Sequence, residues 1–281
     1  MTNTMIRHQI PLFVNSALGI NQSSTGNSFE VIFQPPVNIP SSATNVTVAC
    51  HGADIFYSFV NVAAGTTFNF TATLSGGSTV TKQITFLKGL YSLAAIQSEI
   101  DAFCQADSQI PDNMWALSGS AATGRVTIGF NADATGVNLS TASILFGTST
   151  AFATLLGFAQ STLTFTAASG VTSVQHTGAS VANFSSISHV DLRTDLAGGG
   201  AIQADGRRGQ TLTSIVPDVS PGAQINFAPP NLIHINADHL IAHPINKARF
   251  YLTNQNGAAV DTNSETWSAR IILSWYVKAP S

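Results

Sequence analysis

Apolar residues in this chain recur mostly at every second position, in short bursts bounded by Gly, Pro and Asn. That period places one face of a strand in a core and the other in water. Asn45–Cys50 alternates, with Val46, Val48 and Cys50 on one face. Thr67–Leu74 repeats the pattern and stops before Gly76-Gly77. Ser28–Gln34, Ile55–Val60 and Val80–Phe86 are β-branched or aromatic runs of strand length, the first closed by Pro35-Pro36. After Phe165 the strand runs are His189–Arg193, Gln224–Phe227, Leu232–Ile235, Ala248–Leu252 and Trp267–Val277. In the last, Trp267, Ala269, Ile271, Leu273 and Trp275 make one apolar face, and Ser268, Arg270, Ile272 and Ser274 a mixed one. Such a strand suits a two-sheet sandwich.

One stretch keeps a different period. Leu93, Ile96, Ile100, Phe103 and Cys104 lie three and four apart, which predicts a helix from Ser92 to Gln105. Ser92 is its N-cap, and Pro111 lies beyond its end. Trp115–Leu117, Arg125–Phe130 and Ala142–Phe146 supply strands around it, and Thr154–Phe158 closes the segment as a turn-like element. The pattern therefore predicts a mainly all-β fold, a single jelly-roll β-sandwich with a small α+β insertion carrying one helix. The expected organisation is an N-terminal arm over 1–27, jelly roll over 28–80, insertion over 81–165 and jelly roll again over 166–281. The arm joins apolar Ile10–Val14 to a polar joint, Gln22–Asn27. It either folds back on its own subunit or lies across a neighbour. Leu12, Phe13 and Val14 are its candidate interface residues.

Charge sharpens the picture. Only 9% of the chain is Asp, Glu, Lys or Arg, about a third of the usual share. The longest apolar runs, Ile144–Phe146 and Ile271–Leu273, are far short of the roughly 18 residues of a spanning helix, so no direct membrane insertion is expected. A surface of hydroxyls and amides repels its neighbours weakly, which fits a protein covered by other subunits. Net charge is −3, and the only adjacent basic pair is Arg207-Arg208. Nucleic acid is therefore not an expected partner. Met1–His8 lacks the apolar core of a secretory signal, so synthesis in a cytosol is expected. Cys50 and Cys104 are then reduced packing residues.

Chemistry-bearing motifs are sparse. His234, His239 and His243 lie within ten residues of each other, with Asp238 beside them. Three imidazoles can bind zinc, and a carboxylate can orient one. Pro244 and the β-rich flanks argue against the helix that an i, i+4 pair needs. The expected reading is loop histidines near a subunit interface and no metal; a protonation-sensitive interface is the second. Asp191, Asp195, Asp205 and Asp218 lack the spacing of a calcium loop. Arg193, Arg207 and Arg208 are expected as salt-bridge or inter-subunit partners. Gly198–Gly200 is not followed by Gly-Lys-Ser/Thr, and no Gly-x-Ser-x-Gly elbow occurs. Three glutamates, Glu30, Glu99 and Glu265, leave little for a paired-carboxylate hydrolase. No catalytic residue and no cofactor are expected, and the chain does not read as an enzyme.

The order of elements carries a resemblance. Gly89-Leu90-Tyr91-Ser92 opens the helix, with Ile96, Ile100 and Phe103 behind it, and Leu155-Leu156-Gly157-Phe158 closes the segment. Phe250–Asp261 then runs into Thr266–Leu273. Over most of residues 28–277 this resembles the penton (minor capsid) proteins of virophages, polinton-like viruses and related double-stranded DNA viruses. In that family the final hairpin carries a strand, a Gly-containing turn and a Trp-led strand. Asn254 stands here where the family has its first charged turn residue, and the arm is short. The resemblance implies a single jelly roll with an insertion, assembled as a homopentamer at capsid vertices. It implies a virion protein made and assembled inside the host cell. The implied partners are further copies of itself and the major capsid protein, with a host receptor or vertex fibre left open. The alternative is a receptor- or carbohydrate-binding sandwich module of a viral particle, with Tyr57, Tyr91 and Trp115 as its aromatic candidates.

Overall fold

The computed structural model describes residues 4–74, 77–131, 133–134, 137–166, 173–184, 187–198, 201–202 and 208–279. The chain folds as two units, Met1–Phe59 with Ile187–Ser281, and Val60–Ser186 between them. Each has its own apolar core.

The first unit opens with β1 (Met5–Asn15), β2 (Ser28–Asn38) and β3 (Thr44–Phe56). The second holds β4 (Thr67–Leu74), β5 (Thr79–Thr85), α1 (Leu93–Ala106), β6 (Trp115–Gly119) and β7 (Val126–Asn131). It continues with β8 (Asp133–Ala134), β9 (Val137–Leu145), α2 (Thr150–Leu156), β10 (Thr162–Thr166) and β11 (Ser173–Thr177). The first unit resumes with β12 (Val190–Thr194), β13 (Ala201–Ile202), β14 (Arg208–Gly209), β15 (Thr211–Ile215) and β16 (Gln224–Phe227). It ends with β17 (Ile235–Asn236), β18 (Pro244–Asn254) and β19 (Ser268–Lys278).

Two antiparallel sheets build the first unit, ordered β1-β19-β3-β16 and β15-β12-β18-β2. Numbering these eight strands one to eight along the chain gives 1-8-3-6 and 5-4-7-2. That interleaving of two sheets is a jelly roll. Its core is the set of inward positions that alternation marks. On β19, Trp267 just before the strand and Ala269, Ile271, Leu273 and Trp275 within it are all buried. They face Phe29, Phe250 and Leu252 in the same core.

Several expectations need correction. Residues 5–15 are no arm: they pair with β19 along their whole length, from Met5 opposite Lys278 to Asn15 opposite Ser268. Pro11 does not stop this strand, because an edge strand can spare one outward N–H. Nor is 22–27 a loose joint. The Trp267 amide donates to Ser16 Oγ at 2.9 Å and its indole N–H to the Gly26 carbonyl at 3.0 Å. Gly19 lies so close over Phe29 that a Cβ there would meet its ring at 2.5 Å.

The insertion begins at Val60 and runs to Ser186, wider than the expected 81–165. β4 and β5 pair with each other and β4 with β9, so Thr71–Thr73 lie in the insertion and Arg249–Tyr251 in the jelly roll. The alternation of Thr67–Leu74 is the same in either sheet, so its period could not assign it. Residues 45–50 and 55–56 belong to one strand, β3, whose register shifts opposite Arg270 and Ile271. β18 and β19 are not hairpin partners, because they lie in different sheets. The Asn254–Gly257 turn instead folds Ala259 back onto Thr253.

Within the insertion α1 forms as its period dictates. Ser92 Oγ accepts from the Ala95 amide at 3.1 Å, and Ile96, Ile100 and Cys104 are buried. The turn-like element is a second helix, α2, ended by Gly157 at φ 79°. Phe68, Phe70, Trp115, Phe130, Phe152 and Phe165 fill the core. Gln97 on α1 reaches the open edge of β6, donating to the Trp115 carbonyl at 2.9 Å and accepting from the Leu117 amide at 2.6 Å.

Candidate functional site

The histidine segment is a buttress for β3. β17 pairs with Val48 and Thr47, and a single 3₁₀ turn follows over Asp238–Leu240. Asp238 Oδ1 accepts the Val46 amide at 2.8 Å, and Oδ2 accepts Asn236 Nδ2 at 2.7 Å. Its carboxylate is thus committed to holding backbone and not to orienting a ring. His234 Nδ1 lies 3.2 Å from Thr47 Oγ1. His239 Nδ1 packs over Gly198, where a Cβ would sit 2.7 Å away. His243 is exposed just ahead of β18. The three rings have different neighbours, and among the described residues no three His, Cys, Asp or Glu side chains form a metal-holding group.

The acidic candidates are likewise dispersed. Asp191 accepts from Ser214 Oγ at 2.5 Å and Arg193 Nη2 at 3.3 Å, an ion pair of neighbouring outward positions on β12. Asp195, just past β12, accepts the Arg249 amide at 2.9 Å. Desolvation raises its carboxyl above the ordinary aspartate value, against the backbone bonds that lower it. Asp218 is exposed between β15 and β16. Asp205 and Arg207 lie outside the described residues, and Arg208 enters only by its pairing with Ile202.

Tyr57 is 9% exposed and Trp115 1%; Tyr91 is half-buried, edge-on to Phe86. These aromatics do not make a sugar platform. Burial pushes the Cys50 thiol up to about 11 and the Cys104 thiol up to about 12. Neither is a thiolate nucleophile at neutral pH.

The surface is more telling than any cluster. Among the described residues, Met5, Ile6, Phe13, Leu18, Ile20 and Ile32 are exposed large hydrophobics on β1, β2 and their connection. These strands are edges, one of each sheet. Leu12 and Val14 point into the subunit's own core, at 8% and 3% exposure, whereas Phe13 is 77% exposed. The Thr4 carbonyl accepts from Ala279 and the Ser16 amide donates to Trp267, so even-numbered residues of β1 bond toward β19. Odd-numbered ones, Pro11 included, face the open edge. Pro11 offers no N–H there, which blunts the edge against strand addition. A partner on this side meets side chains. Phe13 was legible from sequence as part of an apolar run; Leu18, Ile20 and Ile32 became visible only once β1 and β2 were placed at edges.

No protein-family model matches the sequence, and no curated protein does. Among solved structures, the mavirus penton protein is similar at 10% identity and a TM-score of 0.46, over 98% of this chain and 100% of that one. A chain of the Sputnik virophage, solved by cryo-EM at 3.5 Å, is similar at 10% identity and a TM-score of 0.41, over 99% and 98%. At these scores the fold rests on the strand order itself.

Proposed function

We propose that the chain is a structural capsid subunit, a penton-type minor capsid protein forming homopentamers at icosahedral vertices. The observation that carries this reading is a complete eight-strand jelly roll whose exposed apolar residues gather on its β1 and β2 edges. A jelly roll is a common capsid architecture. An apolar strip at one edge suits a head-to-tail contact, which closes into a ring when the rotation permits. With 9% charged residues, such contacts meet little electrostatic opposition. Phe13 is the side chain best placed for the neighbouring copy, with Leu18, Ile20 and Ile32 beside it in sequence. The resemblance of the sequence to vertex proteins sets the number at five and names the major capsid protein as the next neighbour. Its place is the virion, assembled inside the host cell, and its role needs no catalysis.

Sedimentation of the purified chain tests the ring. Five copies of a 29.3 kDa chain sediment as a single species near five times that mass. A monomer at all concentrations, or a closed ring of another number, overturns the proposal.

A further inference from the structure

We infer that the jelly roll carries a vacant strand slot beside β18 that binds an extended polypeptide segment bearing a lysine or arginine. The inference does not depend on the capsid reading.

β18 has eleven residues, but its two neighbours cover it unequally. β2 pairs with it from Pro244 to Tyr251, whereas β12 pairs only with Phe250–Asn254. On the β12 side the stretch before Phe250 has no strand beside it. Hydrogen bonds fix which groups face that gap. Glu30 gives its N–H and C=O to Ile20, away from β18, and the Leu252 amide donates to Asn27 on the β2 side. Arg249, opposite Glu30, therefore points its backbone groups toward β12. There its carbonyl accepts the Asp195 amide and its amide meets Asp195 Oδ1. The two-residue period of an antiparallel ladder assigns the same direction to Lys247, opposite Ile32. Its N–H and C=O have no strand partner there.

A groove of about 400 Å³ lies at this place, lined by Asp195, Leu196, Leu240, His243, Ile245 and Lys247 among others. Its walls are chemically selective. Leu196, Leu240 and Ile245 give apolar contact. Asp195 is a partly desolvated carboxylate that makes no ion pair among the described residues. The nearest ammonium in sequence, Lys247, is held by Glu30 at 3.2 Å. Backbone donor and acceptor in register with an open ladder call for an extended main chain, as in strand-addition recognition. The uncompensated carboxylate calls for a cationic side chain on it.

The test uses the full-length protein and a capped pentapeptide with a central lysine flanked by valines. Amide hydrogen exchange read by NMR should show the Lys247 N–H exchanging freely in dilute protein and slowing at least about tenfold with peptide. An N-methylated backbone should abolish the effect. Glutamate in place of the lysine should weaken binding about tenfold, the scale of one charge-assisted contact. Asp195→Asn should weaken the lysine peptide equally and leave the glutamate peptide unchanged, since an asparagine oxygen still accepts the Arg249 amide. Protection of Lys247 in the free dilute protein overturns the inference. So does protection that grows with protein concentration alone, which would make a second copy the occupant. Equal binding of the lysine and glutamate peptides also overturns it.

Discussion

Two adjacent residues of β1 should answer very differently to truncation. Leu12 is 8% exposed in the jelly-roll core and Phe13, next to it, is 77% exposed. Leu12→Ala removes buried methyl groups and leaves a cavity, a change that costs 2–5 kcal/mol in well-packed cores. An edge strand relaxes more easily than a central one, so about 2–3 kcal/mol is expected. For a unit of this size that lowers the Tm by about 5–10 °C. Phe13→Ser should alter stability by no more than about 0.5 kcal/mol. It should weaken self-association at least about tenfold if Phe13 anchors the ring. Each unit supplies its own reporter, because Cys50 lies in the jelly-roll core and Cys104 in that of the insertion. Thiol labelling along a temperature ramp, read by mass spectrometry, should show the Cys50 midpoint falling in Leu12→Ala while that of Cys104 holds. An unchanged Cys50 midpoint would mean that residues 5–15 are a dispensable arm after all.

Gln97→Ala should destabilise the insertion by about 1–3 kcal/mol, because the β6 edge then keeps an unmet donor and acceptor. In the same ramp Cys104 should label early and Cys50 should not. Alkaline pH should weaken both units. The folded thiols sit near 11 and 12 against an ordinary 9.0, so the unfolded chain loses protons first. This contribution is intact below about pH 9 and is lost as pH climbs through 11–12. Cys104→Ala should flatten the loss for the insertion, followed by hydrogen exchange of α1. Elemental analysis of the purified protein should find no stoichiometric zinc; one zinc per chain, lost in His239→Ala, would contradict the placement of the three histidines. Asp238→Ala should cost about 1–3 kcal/mol by stranding the Val46 amide, measured by denaturant unfolding.

Much of the fold was legible in the pattern. The inward set of β19 and the helix capped by Ser92 follow from period alone, since burial on one face leaves a mark in sequence. What escaped is what period does not encode. Alternation over Thr67–Leu74 says strand without saying which sheet, so the insertion began too late. β18 and β19 read as a hairpin because they are consecutive, yet a jelly roll sends consecutive strands to opposite sheets. Pro11 hid β1, since an edge strand tolerates what a central one cannot. The metal candidates were legible as residues, but Asp238 serves a backbone amide that no spacing reveals. The slot beside Lys247 is a missing neighbour, which leaves no residue to find.

Imaging of intact particles tests the central claim most directly. The proposal predicts density of this jelly roll, with its insertion, in five copies around each fivefold vertex. The β1 and β2 edge should face an adjacent copy, with Phe13 enclosed. The same chain found as a trimer away from the vertices would contradict it.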